Sequence, residues 1–226
     1  MVRGSAQTAG EAPRGDGEGD EYGREVDAVL ARAYPDARCA LDHSGPFELL
    51  VATVLSAQTT DERVNTVTPE LFRRWPTPED LAGADPDEVR EVVRTLGFQA
   101  RRATQLVGLA AALVHDHAGE VPPDRDALVA LPGVGRKTAH VVLGNAFDVP
   151  AITVDTHVGR LARRLGLSRE TSSPAVEKDL ARALPERDWT FACHRLIAHG
   201  RAVCTSRAPA CGSCVLRGLC PRVGVA

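Results

Sequence analysis

The chain has 226 residues, of which 43% are hydrophobic and 25% charged, and its formal net charge is −3. This composition is ordinary for a soluble globular protein, and the length suits one large domain or two small ones. No apolar run approaches the ~18 residues of a membrane span, and no secretory signal opens the chain. We therefore expect a cytoplasmic protein.

Charge is distributed unevenly along the chain. Residues 1–25 hold six acids and three bases, which alone account for the net charge. Residues 1–20 lack an apolar run and predict a disordered acidic tail. From Arg195 to the end there are five arginines and no acidic residue. Such a basic end is compatible with a polyanionic partner or with a plain solvated surface.

Segments of period 3.6 dominate the remainder and strand patterns are scarce, so the predicted fold class is all-α. Capping residues followed by proline, as in Thr77-Pro78 and Asp85-Pro86, predict helix starts, and Asp124 predicts another. One helix is predicted over 61–74, with Asp61 as its N-cap. The other predicted helices span 22–33, 47–56, 100–117, 135–147, 155–165, 173–183 and 188–201.

Cysteine usage predicts two lobes. Residues 39–149 are helix-rich and cysteine-poor, whereas the segment 150–226 carries five of the six cysteines. We assign the N-terminal helix, residues 21–38, to the second lobe, a step that the pattern alone does not give.

The sequence LPGVGRKTA, beginning at Leu131, predicts a tight turn between two helices. Glycine adopts backbone angles closed to other residues and lets another chain approach closely. The first amides of the second helix lack partners within the helix and lie at the positive end of its dipole, which suits a phosphate. An ordinary corner between two helices is the alternative.

Lys137 lies in the first turn of that second helix, and it is one of only two lysines among the 27 basic residues. The helix dipole disfavours a cation there and favours the neutral, nucleophilic amine, although a simple phosphate contact is the alternative. Asp155 directly precedes a helix as a good N-cap. Its functional alternative is a carboxylate that polarises the Lys137 amine or stabilises a cationic, sugar-like transition state. His157 is either structural or a contact to a DNA backbone.

Four cysteines lie within 17 residues near the end of the chain, in the pattern C-x6-C-x2-C-x5-C. They are Cys204, Cys211, Cys214 and Cys220. Four thiolates at this spacing can surround one metal centre, and the spacing leaves a structural zinc and an iron–sulfur cluster equally open. Disulfides are disfavoured in a cytoplasmic chain. Cys39 and Cys193 lie apart and are expected to pack as small apolar side chains.

Three motifs in this order and at this separation resemble the endonuclease III family: LPGVGRKTA, VDTH at residues 154–157, and the terminal cysteine pattern. These proteins are bifunctional DNA glycosylases of the helix-hairpin-helix superfamily. LSAQTTD, residues 55–61, matches a further family segment, and the similarity extends from about Tyr22 to Pro221. It implies an all-α, two-lobed fold, with a cleft between a helical barrel lobe that carries the hairpin and an iron–sulfur cluster lobe.

The resemblance also implies an activity: base-excision repair of oxidised pyrimidines and of abasic sites in duplex DNA. Lys137 matches the nucleophile that forms a Schiff base at C1′, which permits strand cleavage by β-elimination, and Asp155 matches the catalytic carboxylate. The four clustered cysteines match the ligands of a [4Fe–4S] cluster. The implied partner is double-stranded DNA with a damaged base or an abasic site, and we expect a nucleoid-associated monomer that binds no membrane.

Further residues are implied as DNA contacts. The hairpin grips the DNA backbone, Gln58 enters the space left by the extruded base, and Phe98 intercalates. The whole implied set is Gln58, Phe98, Leu131, Gly133, Val134, Gly135, Arg136, His157 and Arg207.

The chain departs from the family pattern at three places. The Leu-Tyr-Asn-Ser that usually follows the glycine is replaced by the residues from Phe98 to Arg101, and His140 stands where Asn is common. Arg207 is the single basic residue between Cys204 and Cys211. We therefore expect weaker DNA binding or a narrower lesion range than in a typical family member.

Three alternative functions are kept. Adenine-mismatch-type monofunctional glycosylases share the hairpin, the Asp and the cluster, but they lack the Lys and carry an extra C-terminal domain. A non-catalytic helix-hairpin-helix DNA-binding protein would keep the hairpin and the cluster as a docking surface, and the presence of both Lys137 and Asp155 argues against it. A zinc-stabilised helical adaptor would be colourless.

Overall fold

The computed structural model describes residues 18–225, with side chains from residue 21 onward. Over that range the chain is helical and has no strand, which confirms the predicted all-α class. Three short 3-10 turns, at Arg94–Leu96, Glu186–Asp188 and Cys211–Ser213, supplement twelve α-helices. The α-helices are α1 (Glu18–Ala33), α2 (Pro46–Leu55), α3 (Asp61–Asn65), α4 (Thr68–Arg74), α5 (Pro78–Ala82), α6 (Pro86–Val92), α7 (Gln99–His117), α8 (Arg125–Ala130), α9 (Arg136–Ala146), α10 (Thr156–Arg164), α11 (Ser173–Ala183) and α12 (Trp189–Ala202).

Helix α1 starts within the last three residues of the predicted acidic tail. The rest of that tail, and so the prediction that it is disordered, lies outside the described residues. None of the helices in the described part of the chain is both long and apolar enough to cross a membrane.

The described residues divide into two compact units. One spans Arg38–Thr153 and holds α2 to α9. The other combines the described residues up to Ala37 with those from Val154 onward, and it holds α1, α10, α11 and α12.

The core of the 38–153 unit is built around α2. Seven consecutive residues of this helix, Leu49 to Leu55, are buried, as expected for a helix that is apolar on all sides. Helix α2 packs against α7 and α9, and α7 packs against α5 and α6. The buried stripe of α7 includes Leu106, Leu109 and Leu113. Helix α9, which follows the glycine turn, is thereby fixed against the centre of the unit.

Short polar side chains begin several helices of this unit. The side chains of Thr77, Asp85 and Asp124 accept hydrogen bonds from backbone N–H groups in the first turns of α5, α6 and α8, at 3.2, 2.9 and 2.8 Å. All three caps agree with the sequence-based predictions. Each such cap stabilises its helix by ~1 kcal/mol.

The single helix predicted over 61–74 is wrong. The chain forms α3 and α4 instead, separated at Thr66 and Val67. Pro69 explains the break, because proline has no N–H and its ring collides with the carbonyl four residues earlier in a continuous helix. The cap of α3 is also one residue earlier than predicted: Thr60 accepts the hydrogen bond from the Arg63 N–H at 3.4 Å.

In the other unit, α1 and α10 each pack against α11 and α12. Buried leucines supply much of this core, among them Leu30 on α1, Leu161 on α10 and Leu180 on α11. An ion pair joins α1 to α12, with Arg195 Nη1 donating to Asp27 Oδ2 at 2.8 Å. Burial raises the pKa of Asp27, and the Arg195 guanidinium opposes that rise.

Candidate functional site

The glycine turn lies between α8 and α9, as predicted, and its two glycines differ. Gly133 has a φ of 80°, in the left-handed region that side chains disfavour. Gly135 is the N-cap residue of α9 and has extended backbone angles, φ −99° and ψ 173°. A Cβ atom on Gly135 would meet no atom within 4 Å, so its backbone is open to an approaching molecule.

The apolar residues of the turn point inward. Leu131 and Val134 are 4% and 6% exposed and belong to the core of the 38–153 unit. Their side chains therefore anchor the turn, and any contact that these two residues make with a ligand passes through their backbone. Sequence reasoning placed both among the DNA contacts without separating backbone from side chain.

The first turn of α9 carries Arg136 and Lys137, both exposed. No side chain caps this helix. The positive end of the helix dipole and the N-terminal amides therefore present an anion-binding surface beside the open backbone of Gly135. One turn later, His140 is buried, and its Nδ1 atom donates to the carbonyl oxygen of Ile152 at 2.9 Å.

Asp155 is the N-cap of α10, as predicted, and its Oδ1 atom accepts from the Val158 N–H at 2.7 Å. This bond fixes the orientation of the carboxylate. His157 is half-buried in the same unit, and its Nδ1 atom accepts from Arg160 Nη2 at 3.1 Å. Arg160 also donates to the Gly200 carbonyl at 2.9 Å, so the His157 ring is tied to α12.

Gln58 and Phe98 lie in the 38–153 unit, on the segments that follow α2 and precede α7. Both are exposed, and Phe98 has 67% of its surface accessible. Both also adopt left-handed backbone angles, with φ of 62° and 50°. Arg207, on the segment after Cys204, is likewise exposed.

The four clustered cysteines line one cavity, which also touches Leu161 and Leu216. Across residues 18–225, no group of three His, Cys, Asp or Glu side chains is arranged to hold a single metal ion. Four cysteine sulfurs that line one cavity suit the four thiolate ligands of an iron–sulfur cluster. The residues present therefore fit an iron–sulfur cluster. Cys193 is buried on α12, and Cys39 is half-buried in the other unit.

Hydrogen-bond donors surround the sulfurs. Arg164 Nη1 donates to Cys204 Sγ at 3.3 Å, and the backbone N–H groups two residues after Cys214 and after Cys220 donate to those sulfurs at 3.4 Å. Burial raises the pKa of the Cys214 and Cys220 thiols, and these N–H groups act in the opposite direction. Such bonds favour the thiolate form and influence the reduction potential of a bound cluster.

A histidine and a tyrosine extend this shell. His199 is 1% exposed, and its Nε2 atom lies 3.3 Å from Cys214 Sγ. Its Nδ1 atom lies 2.9 Å from the Tyr34 hydroxyl. Burial lowers the pKa of His199 and raises that of Tyr34, so the ring is neutral and the hydroxyl keeps its proton. In the tautomer that accepts from the Tyr34 hydroxyl at Nδ1, the ring proton is on Nε2, which faces the sulfur.

Comparison with known proteins agrees with these features. Residues 51–186 match the family model of the HhH-GPD superfamily of base excision DNA repair proteins, and residues 204–220 match the iron–sulfur binding domain of endonuclease III. The chain is 49% identical to endonuclease III of Synechocystis sp. over 199 residues, which are 87% of this chain and 90% of that protein. The chain belongs to the endonuclease III family. Endonuclease III of Bacillus subtilis is 48% identical, over 83% of this chain and 86% of that protein.

A solved structure extends the likeness to the fold. An endonuclease III trapped as a covalent intermediate on DNA, in a complex with an estranged adenine, has a TM-score of 0.84 and 46% identity, covering 89% of this chain and 95% of that one. As a member of this family, the chain is a base excision repair enzyme with glycosylase and lyase activities. Its cofactor is a [4Fe–4S] cluster.

Sequence reasoning missed one residue of the chain that lies close to the Gln58 and Phe98 segments. Arg102, on α7, is 5% exposed and donates to backbone carbonyls on both segments. A signal was present, because Arg102 lies four residues before Leu106 and seven before Leu109, on the apolar stripe of α7. A charged residue on such a stripe indicates a buried cation with a specific role.

The two glycines of the turn allow a matched stability test. We expect Gly133→Ala to lower the free energy of unfolding by ~1–2 kcal/mol, because alanine is forced into a left-handed conformation. Gly135→Ala, in extended backbone with open space around it, is expected to cost less, because it loses only the N-cap preference of glycine over alanine. Thermal or denaturant unfolding of the two variants measures this difference, and equal losses would contradict the assigned geometry.

Proposed function

We propose that this enzyme excises oxidised pyrimidines from duplex DNA and then cleaves the strand, with Lys137 as the nucleophile and Asp155 as the catalytic carboxylate. The observation that carries the proposal is the position of Lys137: it is exposed in the first turn of an uncapped helix, directly after a backbone that another molecule can approach. The only other lysine of the chain, Lys178, lies on α11.

Grip on DNA comes from the turn and from the start of α9. The amides of a helix N-terminus bind phosphate without reading the base sequence, which suits an enzyme that has to act at damage in any sequence context. Gly133 and Gly135 keep the backbone accessible, and Arg136 adds a positive charge. His157 and Arg207 are proposed as further contacts to the DNA backbone.

A base inside a duplex is out of reach, so the damaged nucleotide has to be extruded, at an energetic cost of a few kcal/mol. We assign Phe98 as the apolar side chain that enters the base stack, since its exposed ring can stack on the neighbouring bases. Gln58 is assigned to the space that the extruded base leaves, where its amide can replace lost hydrogen bonds.

The chemistry follows from an amine and a carboxylate. The Lys137 nitrogen bonds to C1′ as the bond from C1′ to the base breaks, and Asp155 stabilises the positive charge that develops on the sugar. Opening of the sugar ring gives an imine between Nζ and C1′. Loss of a proton from C2′ then expels the 3′ phosphate, and hydrolysis of the imine releases the enzyme.

The [4Fe–4S] cluster is proposed to be held by Cys204, Cys211, Cys214 and Cys220. When bound, it cross-links the segment after α12 and supplies a redox-active centre. The chain's own contribution is the shell of donors around the sulfurs and the arginines nearby. We further propose that the enzyme acts as a monomer, in the cytoplasm with the nucleoid, on duplexes that carry a damaged base or an abasic site.

Covalent trapping tests the nucleophile. Borohydride reduces the imine to a stable amine, so the wild-type protein is expected to become fixed to a duplex that contains an abasic site. Lys137→Ala is expected to abolish the protein–DNA adduct on a denaturing gel, because the amine that forms the imine is removed. Lys178→Ala is the matched control and keeps full trapping. An adduct that persists in folded Lys137→Ala protein would refute the assignment.

Asp155 has two roles that one pair of variants separates. Asp155→Asn keeps an oxygen that accepts the Val158 N–H, so its thermal midpoint is expected to equal that of the wild type. Loss of the negative charge is expected to lower the glycosylase rate by about 100-fold or more. Asp155→Ala also loses the cap and ~1 kcal/mol of stability. Full activity in Asp155→Asn would reduce Asp155 to a structural cap.

The ligand assignment is tested by iron and acid-labile sulfide content. We expect Cys204→Ser to lose the cluster and the brown colour, because a ligand thiolate is removed. Cys193→Ser, at a buried cysteine in the same unit, is the control and keeps both iron and sulfide. Iron content at the wild-type level in the Cys204→Ser protein would show that this thiol is no ligand.

A further inference from the structure

Two residues of the 38–153 unit with exposed side chains have an unfavourable, left-handed backbone conformation. Gln58 and Phe98 have φ of 62° and 50°, although neither is a glycine. Residues other than glycine persist in this region only where their surroundings determine the conformation. The surroundings of both residues therefore have to contain a group that fixes the two segments.

Arg102 is that group. Its Nε atom donates to the carbonyl of Gly97 at 2.8 Å, and Gly97 immediately precedes Phe98. Its Nη2 atom donates to the carbonyl of Ala57 at 2.8 Å, and Ala57 immediately precedes Gln58. One guanidinium thus holds the peptide groups that lead into both left-handed residues.

Two more contacts complete the set of Arg102 contacts with backbone carbonyls, which we call the Arg102 clamp. Nη1 donates to the Leu55 carbonyl at 2.5 Å, and Nη2 lies 3.5 Å from the Leu96 carbonyl. Leu55 is the last residue of α2, so the cation also lies at the negative end of that helix dipole. Burial lowers the pKa of the Arg102 guanidinium, and among the described residues no salt bridge to a carboxylate compensates its charge.

The planar fork of arginine is essential to this arrangement. Its N–H groups point in fixed directions and reach two segments at once, whereas a lysine ammonium is a single point charge on a flexible stem. A lysine at this position keeps the charge at the end of α2, but it cannot hold both segments at a set separation.

We propose that Arg102 is a positioning residue that couples the Gln58 segment to the Phe98 segment, so that both side chains enter the duplex together. This inference rests on the proposed function, in which Phe98 enters the base stack and Gln58 fills the gap. Arg102 then acts on extrusion of the base. It leaves the chemistry at Lys137 untouched.

The test compares Arg102→Lys with Arg101→Lys, a change at the exposed neighbouring arginine. Each protein is assayed on a duplex with thymine glycol, where a base has to be extruded, and on a duplex with a preformed abasic site, where no base has to leave the stack. We expect Arg102→Lys to lower single-turnover excision of thymine glycol by about tenfold or more. Borohydride trapping on abasic DNA is expected to stay within about twofold of the wild type. Arg101→Lys is expected to change neither.

Two results would overturn the proposal. Equal losses on both substrates, with a lower thermal midpoint, would make Arg102 a residue of general stability, and unchanged excision would remove its role altogether. Trapping also distinguishes a failure of the proposed function from a failure of the Arg102 proposal. If the wild-type protein is not trapped through Lys137, the proposed function is wrong, whatever the result for Arg102→Lys.

A second measurement covers an Arg102→Lys protein that does not fold. In the otherwise intact chain, Gln58→Ala, Phe98→Ala and the double variant form a cycle on the thymine glycol substrate. Two side chains held by one clamp act as a unit, so the double variant is expected to lose no more excision rate than the worse single variant. Losses that multiply would mean that the two segments act independently.

Discussion

Unpaired backbone groups at helix ends are the constraint on which this protein depends. Every α-helix leaves its first N–H and last C=O groups without partners inside the helix, and a chain built from many short helices meets that demand repeatedly. Among the described residues, five side chains meet this demand at helix N-termini: Thr60, Thr77, Asp85, Asp124 and Asp155. Helix α9 has no such cap. Helices α2, α7 and α12 also lack a side-chain cap. In the proposed function, the free amides of α9 bind the phosphate of the substrate.

Arginine side chains donate to backbone carbonyls at the end of α2 and in and after α12. Arg102 serves the end of α2, Arg160 donates to carbonyls of Gly200 and Cys204, and Arg164 donates to carbonyls of Thr205 and Ser206. The last two hold the segment that carries the first cysteine of the cluster motif. The planar guanidinium group has several donors in fixed directions and can bind two or more carbonyls at once, whereas a lysine ammonium is a single point charge. Two of the 27 basic residues are lysines. In the proposed function one of them, Lys137, lies where a single nitrogen has to react.

The fold class, most caps and the family were predictable because they rest on local signals, and the cofactor followed from the family resemblance. A cap joins residues two or three apart, and the cysteine motif is complete within 17 residues. The predicted helix 61–74 was wrong because the prediction followed the helical periodicity of the segment and did not take account of Pro69. The burial of Arg102 could be read from its position on the stripe of α7, but its partners could not. Leu55 and Ala57 lie 47 and 45 residues away, and no periodic pattern links them to Arg102. Burial of Leu131 and Val134 was equally hidden, because an apolar residue in a turn has the same letter whether it faces the core or a ligand.

The left-handed backbone at Phe98 has a consequence for how this surface can vary. Residues branched at Cβ resist positive φ far more than unbranched ones. Leucine, methionine, tyrosine or tryptophan can replace the phenylalanine without reshaping the segment, whereas valine and isoleucine cannot, although they are as apolar. The length and the ring size of the side chain at this position can therefore vary in evolution, whereas branching at Cβ is excluded. The backbone conformation at residue 98 therefore limits which side chains can enter a base stack, independently of any selection for DNA binding.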